Sequence, residues 1–115
     1  MVSIQWGIFW ADLSPVIGSE QAGKRPVLVV SNEIVNKALP VISILPLTSL
    51  KENRVIYPTE ILLKREVTGL PVDSIAMGYQ IRTIAKQRLG DRCGEISTEG
   101  LREEIREALR LYLDL

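Results

Sequence analysis

Histidine is absent from the 115 residues, and cysteine occurs once, as Cys93. The first absence removes imidazole general bases, serine triads and histidine metal sites. The second removes an internal disulfide and any cysteine-rich zinc cluster, and points to a reducing, cytoplasmic setting. Net charge is missing too. Lys and Arg number 14 against 14 Asp and Glu, so no global basic excess advertises a nucleic acid and any such contact needs a local patch. Apolar runs are short: Pro26 to Val30 and Pro40 to Leu47 fall well below the roughly 20 residues of a membrane helix. The N-terminus shows no basic stretch followed by an apolar one, so no secretory signal is expected.

Against these absences stand 46% apolar and 24% charged residues, a globular mixture that suits a single domain spanning residues 1–115. Ile4 to Leu13 is rich in bulky residues and reads as a first strand ending at Ser14-Pro15. The polar stretch from Gly18 to Gly23 reads as a mobile loop. Arg25 to Ser31 is a second strand, whose unbroken apolar run implies burial on both faces. Ser31 and Asn32 suit the N-cap of a short helical turn through Lys37, stopped before Pro40. Val41 to Leu47 is a third buried strand ending at Thr48-Ser49. Lys51 to Arg54 is a charged loop, followed by strand material at Val55 to Tyr57 and Glu60 to Leu63. Gly69-Leu70-Pro71 turns the chain into Ser74 to Met77, and Tyr79 to Ile84 alternates as a half-exposed strand does.

From Ser97 the period becomes helical. Leu101, Ile105, Leu109 and Tyr112 share one face, and Glu99-Arg102, Glu103-Arg106 and Glu107-Arg110 line the other as pairs three residues apart. Five to seven short strands closing into a small barrel, with a C-terminal amphipathic helix, is the economical mainly β (α+β) architecture.

Ala11-Asp12-Leu13-Ser14-Pro15 and the run from Gly18 through Ser19-Glu20-Gln21-Ala22-Gly23-Lys24-Arg25-Pro26 to Ser31 resemble the signature of MazF/PemK-type toxins. The likeness continues through Leu45-Pro46-Leu47-Thr48-Ser49, Asp73-Ser74, Gln80 to Ile84 and Lys86 to Leu89, in the family's order over almost the whole chain. The resemblance implies an SH3-like barrel of the CcdB/PemK toxin type. It further implies a homodimer that cuts single-stranded RNA at short preferred sequences without metal or other cofactor, leaving a 2′,3′-cyclic phosphate and a 5′-hydroxyl. A cognate antitoxin is implied as partner, its acidic, disordered C-terminal segment occupying the RNA groove.

By position, Arg25 and Thr48 match the family's catalytic arginine and threonine. A guanidinium suits the charge that grows on phosphoryl oxygens during 2′-hydroxyl attack. Because a guanidinium gives up its proton only far above neutral pH, charge stabilisation is the preferred role over proton transfer, which stays open. Ser19, Glu20 and Gln21 become candidates for contacting RNA, and Ser49, Ser74, Gln80 and Arg82 for lining its groove, with the dimer contact as the other reading of Ser74 and Gln80. Arg82, Lys86, Arg88 and Arg92 are either a phosphate-tracking patch or a solvated strand and turn. Trp6, Phe9 and Trp10 are core residues or base-stacking platforms, core being the commoner fate of strand aromatics. Cys93 reads as an inert, partly buried thiol.

Two departures stand out. Where the family often has arginine-glycine-aspartate the chain has Gln5-Trp6-Gly7, and Ala85 replaces a common aspartate. They bear on cleavage specificity more than on activity. The alternatives are a non-nuclease toxin of the same fold that binds DNA gyrase, or an inactive homologue that only binds antitoxin. The gyrase-binding relatives end in tryptophan-glycine-isoleucine, whereas this chain carries Trp6-Gly7-Ile8 at its start and ends Tyr112-Leu113-Asp114-Leu115.

Overall fold

Residues with apolar side chains at consecutive positions need a sheet that is covered on both sides, and such a sheet forms here. The structure, a computed structural model, describes residues 3–14, 17–21 and 23–115. Pro15 and Ala22 of the motif lie outside the described residues. The elements are β1 (Gly7–Asp12), β2 (Lys24–Val29), α1 (Glu33–Ala38), β3 (Val41–Ser49), β4 (Glu60–Leu63), α2 (Arg65–Thr68), β5 (Ser74–Met77), β6 (Arg82–Ala85), β7 (Leu89–Glu95) and α3 (Glu99–Leu113). Turns of 3-10 helix occupy Gly78–Gln80 and Lys86–Arg88. The strand order is β4-β5-β3-β2-β1-β7, with β6 also paired to β3, and every pairing is antiparallel.

Two cores result. Ile8, Leu28, Leu45 and Leu47 enter the first, which α3 closes with Ile105 and Ala108. Phe9, Val27, Val29, Ile42 and Ile44 enter the second. The double burial read from the second and third apolar runs is therefore real, and each run feeds alternate residues to opposite sides. Asn32 caps α1 as expected, its side-chain oxygen accepting from the Ile34 and Val35 amides at 2.8 and 3.4 Å.

β3 organises the sheet. Along one edge it pairs with β2, and along the other it meets β6 through Val41 to Ile44 and β5 through Leu47 to Ser49. The β5 register, if continued, would place residue 79 opposite Ile44, but Arg82 stands there. The 3-10 turn at Gly78–Gln80 absorbs the excess, so the strand expected from Tyr79 to Ile84 begins only at Arg82. Gly78 is required at the corner, because a Cβ would lie 2.5 Å from the Thr59 carbonyl oxygen. Gly78→Ala is expected to destabilise the fold by about 1–3 kcal/mol through that overpacking, read as a lower urea midpoint.

Three further expectations need correction. Val55 to Tyr57 is not a strand: its backbone pairs with no neighbouring strand, and the Tyr57 amide instead donates to Glu60 Oε1 at 3.0 Å. Tyr112 lies on the expected face of α3 but is 46% exposed, and its neighbours Leu111 and Leu113 in the last turn are exposed too. Arg102 does not pair with Glu99. Its Nε donates to the Ile96 carbonyl at 2.9 Å, and its guanidinium lies 5.4 Å from the Trp6 ring centroid, while Glu99 meets Arg106 at 2.6 Å. Glu103–Arg106 and Glu107–Arg110 do form.

Trp6 takes the left-handed φ of 68° at the position where the family pattern has glycine. Such a conformation costs a bulky residue on the order of 1–3 kcal/mol. Burial of the indole to 7% exposure, between Arg102 and Arg106 above its ring and the first core beneath, offsets that strain. Phe9 is buried as well, in the second core, so both follow the commoner fate of strand aromatics. Among the described residues no helix is long and apolar enough to cross a membrane.

Candidate functional site

The β2–β3 pairing sets Val27 against Pro46. Carried two residues further along each strand, that register places Arg25 across from Thr48, at the end of the sheet where the ladder stops and both side chains are half-buried. Arg25 Nη1 donates to the Leu47 carbonyl at 3.0 Å, which holds the guanidinium beside the Thr48 backbone. On the far side of β3, Thr48 pairs with Ile75 and Ser49 with Ser74. The buried Ser74 hydroxyl donates to the Val72 carbonyl at 3.3 Å.

These four residues border one groove of about 580 Å³. Lys24 and Lys51 join Arg25 in its wall, and among the described residues no carboxylate lines it. Three cations on one groove concentrate positive charge locally inside a chain of zero net charge. Trp10, Leu70, Pro71 and Val72 supply its apolar side. Cys93 also reaches the groove, where burial pushes its thiol pKa up and its sulfur donates to the Ile8 carbonyl at 3.5 Å, so it is a poor nucleophile at neutral pH. Among the described residues no group of three or more Cys, Asp or Glu could hold a metal ion.

The remaining candidates form a second cluster outside that lining. Gln80 Nε2 donates to the Ser19 carbonyl at 3.1 Å, and Arg82 donates to the Leu13 carbonyl at 3.3 Å, so the 3-10 turn and β6 brace the loop that leads into β2. Glu20 Oε1 accepts from the Ile17 amide at 2.8 Å within that loop, and Gln21 is partly exposed beside it. Four of the candidates thus line the cationic groove, and the other five gather around the loop that leads into β2.

Arg82, Lys86, Arg88 and Arg92 are each tied to a backbone carbonyl, Arg82 and Arg88 to the adjacent residues Leu13 and Asp12. Lys86 donates to the Asn36 carbonyl, Arg88 to the Asp12 carbonyl and Arg92 to the Ser3 carbonyl, with Arg92 also over the Phe9 ring. Their heads tie neighbouring segments together. Lys24 and Lys51 are the cations that sequence reasoning passed over, and their signal was proximity: one precedes Arg25 and the other lies just beyond Thr48-Ser49-Leu50.

Lys51 stands at the base of the β3–β4 loop, which is clipped from below. The Arg54 guanidinium grips Glu60 through two bonds of 3.0 and 2.6 Å, and the Glu60 side chain is fully buried. Burial opposes ionisation of Glu60, but the Arg54 bond, the Tyr57 amide and the charge of Arg54 together hold its carboxyl below the usual carboxylate range.

A profile of the family described as PemK-like, MazF-like toxin of type II toxin-antitoxin system matches residues 4–113. Endoribonuclease EndoA of Bacillus subtilis (strain 168) is 37% identical over 115 residues, covering 100% of this chain and 97% of that protein. Endoribonuclease MazF9 of Mycobacterium tuberculosis is 41% identical over 113 residues, covering 94% and 93%. Among solved structures, an endoribonuclease in complex with its cognate antitoxin from a mycobacterial species matches with a TM-score of 0.78 at 25% identity, over 99% of this chain and 97% of that one. MazF of Deinococcus radiodurans shares the fold, with a TM-score of 0.80 at 24% identity over 100% and 99%.

Proposed function

Because the chain belongs to the PemK-like, MazF-like toxins of type II toxin–antitoxin systems, we propose that it is an endoribonuclease toxin that cuts single-stranded RNA in the Arg25–Thr48 groove. The observation that carries this reading is the meeting of Arg25 and Thr48 in one groove that Lys24 and Lys51 also line. The scissile phosphate binds between them. The adjacent ribose 2′-oxygen forms a bond to phosphorus as its proton passes to water, the bond from phosphorus to the 5′-oxygen breaks, and that oxygen takes a proton from water. The products are a 2′,3′-cyclic phosphate and a 5′-hydroxyl. Arg25 donates to the phosphoryl oxygens as their charge grows, and the Thr48 hydroxyl adds a second donor. Charge stabilisation of this kind asks nothing of a metal ion.

Ser49 and Ser74 hydrogen-bond the RNA within the groove, while Ser19, Glu20, Gln21, Gln80 and Arg82 read or position bases from the braced loop. Residues 1–115 act as one toxin domain in a cytoplasmic homodimer. A cognate antitoxin lays an acidic C-terminal segment over the same three cations, so antitoxin and RNA compete. The gyrase-binding alternative loses its motif here, since Trp6 and Ile8 are buried in the first core.

Incubating the protein with a long unstructured RNA in excess EDTA and sequencing the new ends tests the reading. Cuts at one recurrent short motif are expected, and cognate antitoxin should suppress them. Intact RNA in the presence of folded protein would contradict the assignment.

A further inference from the structure

The chain's two tryptophans meet opposite fates: Trp6 is 7% exposed and Trp10 is 46% exposed. On β1 the neighbours Ile8, Phe9 and Ala11 are all buried, so Trp10 is the large apolar side chain that this strand leaves open. It stands opposite Pro26, one residue along from the Ala11–Arg25 pair, and lines the cationic groove with Pro71 and Val72. A half-open indole forgoes much of the stabilisation that full burial of an aromatic brings. A half-exposed indole in the same groove as Lys24, Arg25 and Lys51 matches a ligand that carries flat apolar rings on a polyanionic chain.

We propose that Trp10 is a stacking platform for one unpaired base of the RNA, beside the phosphate held by Arg25 and Thr48; this rests on the ribonuclease reading above. An acidic peptide satisfies the cations, but it offers a ring only where an aromatic residue happens to fall, so the geometry favours nucleic acid. Two consequences follow from the physics of stacking. Every base has a π-face, so Trp10 sets affinity and register while the identity of the motif is left to hydrogen-bonding groups. Bases in a duplex already stack on each other and pair, so the platform selects single strands.

The test uses a fluorophore-labelled oligonucleotide carrying the mapped motif with 2′-deoxyribose at the cut site, and a set in which each base in turn is removed. Wild type, Trp10→Ala and Trp10→Phe are compared by anisotropy, with circular dichroism as a check of folding. Removing the base at one position next to the cut is expected to weaken wild-type binding about tenfold or more. Trp10→Ala should weaken the intact oligonucleotide similarly and shrink the penalty at that position below about twofold, because the two changes remove one interaction. Trp10→Phe should keep most of the affinity, and Trp10→Ala should still cut at the same motif.

Equal binding by wild type and a folded Trp10→Ala, or an undiminished penalty for the missing base, would overturn the proposal. So would a Trp10→Ala defect confined to antitoxin binding, which would assign the indole to the protein partner. If wild type cuts RNA while Trp10→Ala binds normally, stacking alone fails. If wild type leaves RNA intact, the ribonuclease reading fails and takes the platform with it.

Discussion

Arg25→Ala is expected to lower single-turnover RNA cleavage by at least about 100-fold while leaving the protein folded. The size follows from what removing one preorganised donor does to a transition state whose charge it faces. Folding should survive because Arg25 sits at the start of β2, where the ladder to β3 has ended, and the guanidinium bonds a carbonyl at the groove's edge instead of filling a core. Arg25→Lys separates charge from shape. An ammonium keeps the positive charge but loses the planar fork, so an intermediate rate is expected. Rates near wild type for Arg25→Ala in a folded protein would remove the central residue from the mechanism.

The second large effect is on stability. Glu60→Ala is expected to destabilise the fold by about 3 kcal/mol, a fall of roughly 10 °C in melting temperature. The deletion breaks a buried carboxylate's bidentate pair and leaves the Tyr57 amide without its acceptor. The pH dependence has a definite sign. Glu60's folded-state pKa lies below the ordinary value of 4.5, so the pair contributes stability above that pH and loses it as the pH falls through the folded-state value. The gap between wild type and Glu60→Ala should therefore narrow as the pH drops from neutrality to about 3. A gap that is constant over that range would mean that packing, not ionisation, is what Glu60 supplies. Because the clip carries Lys51, a partly loosened loop should also weaken RNA binding, with a smaller effect on the cleavage step itself.

The parts of the fold that could be read from the sequence are those whose residues are buried on both faces. Val27, Leu28 and Val29 announce β2 by composition alone, and Ile42 to Leu47 announce most of β3. β7 could not be read that way. Leu89-Gly90-Asp91-Arg92-Cys93-Gly94-Glu95 is a polar, glycine-bearing stretch that pairs with β1 through two irregularities of register. Its strand state is imposed by tertiary pairing, which local propensity does not encode. Val55 to Tyr57 is the converse, β-branched residues and an aromatic whose place is taken by the loop clip instead of a ladder.

The site divides in the same manner. Arg25 and Thr48 were legible through the resemblance, and the β2–β3 register shows how residues 23 apart in sequence come together. Gln80 and Arg82 belong to the same sequence signature, yet they brace the entry loop and stay outside the groove. Trp10 misleads a pattern reader, since alternation with Ile8 sends it toward the first core. That cover gives out at the end of β1, and the side chain reaches the groove.

The most direct measurement places a single 2′-deoxynucleotide at the mapped cut site of an otherwise all-ribose substrate and follows cleavage in EDTA, with mass analysis of the ends. The expected result is no cut at the substituted site, and a 2′,3′-cyclic phosphate with a 5′-hydroxyl from the unsubstituted RNA. Cleavage of the deoxy-substituted site, or 3′-hydroxyl and 5′-phosphate ends, would contradict attack by the neighbouring ribose and with it the role given to Arg25 and Thr48.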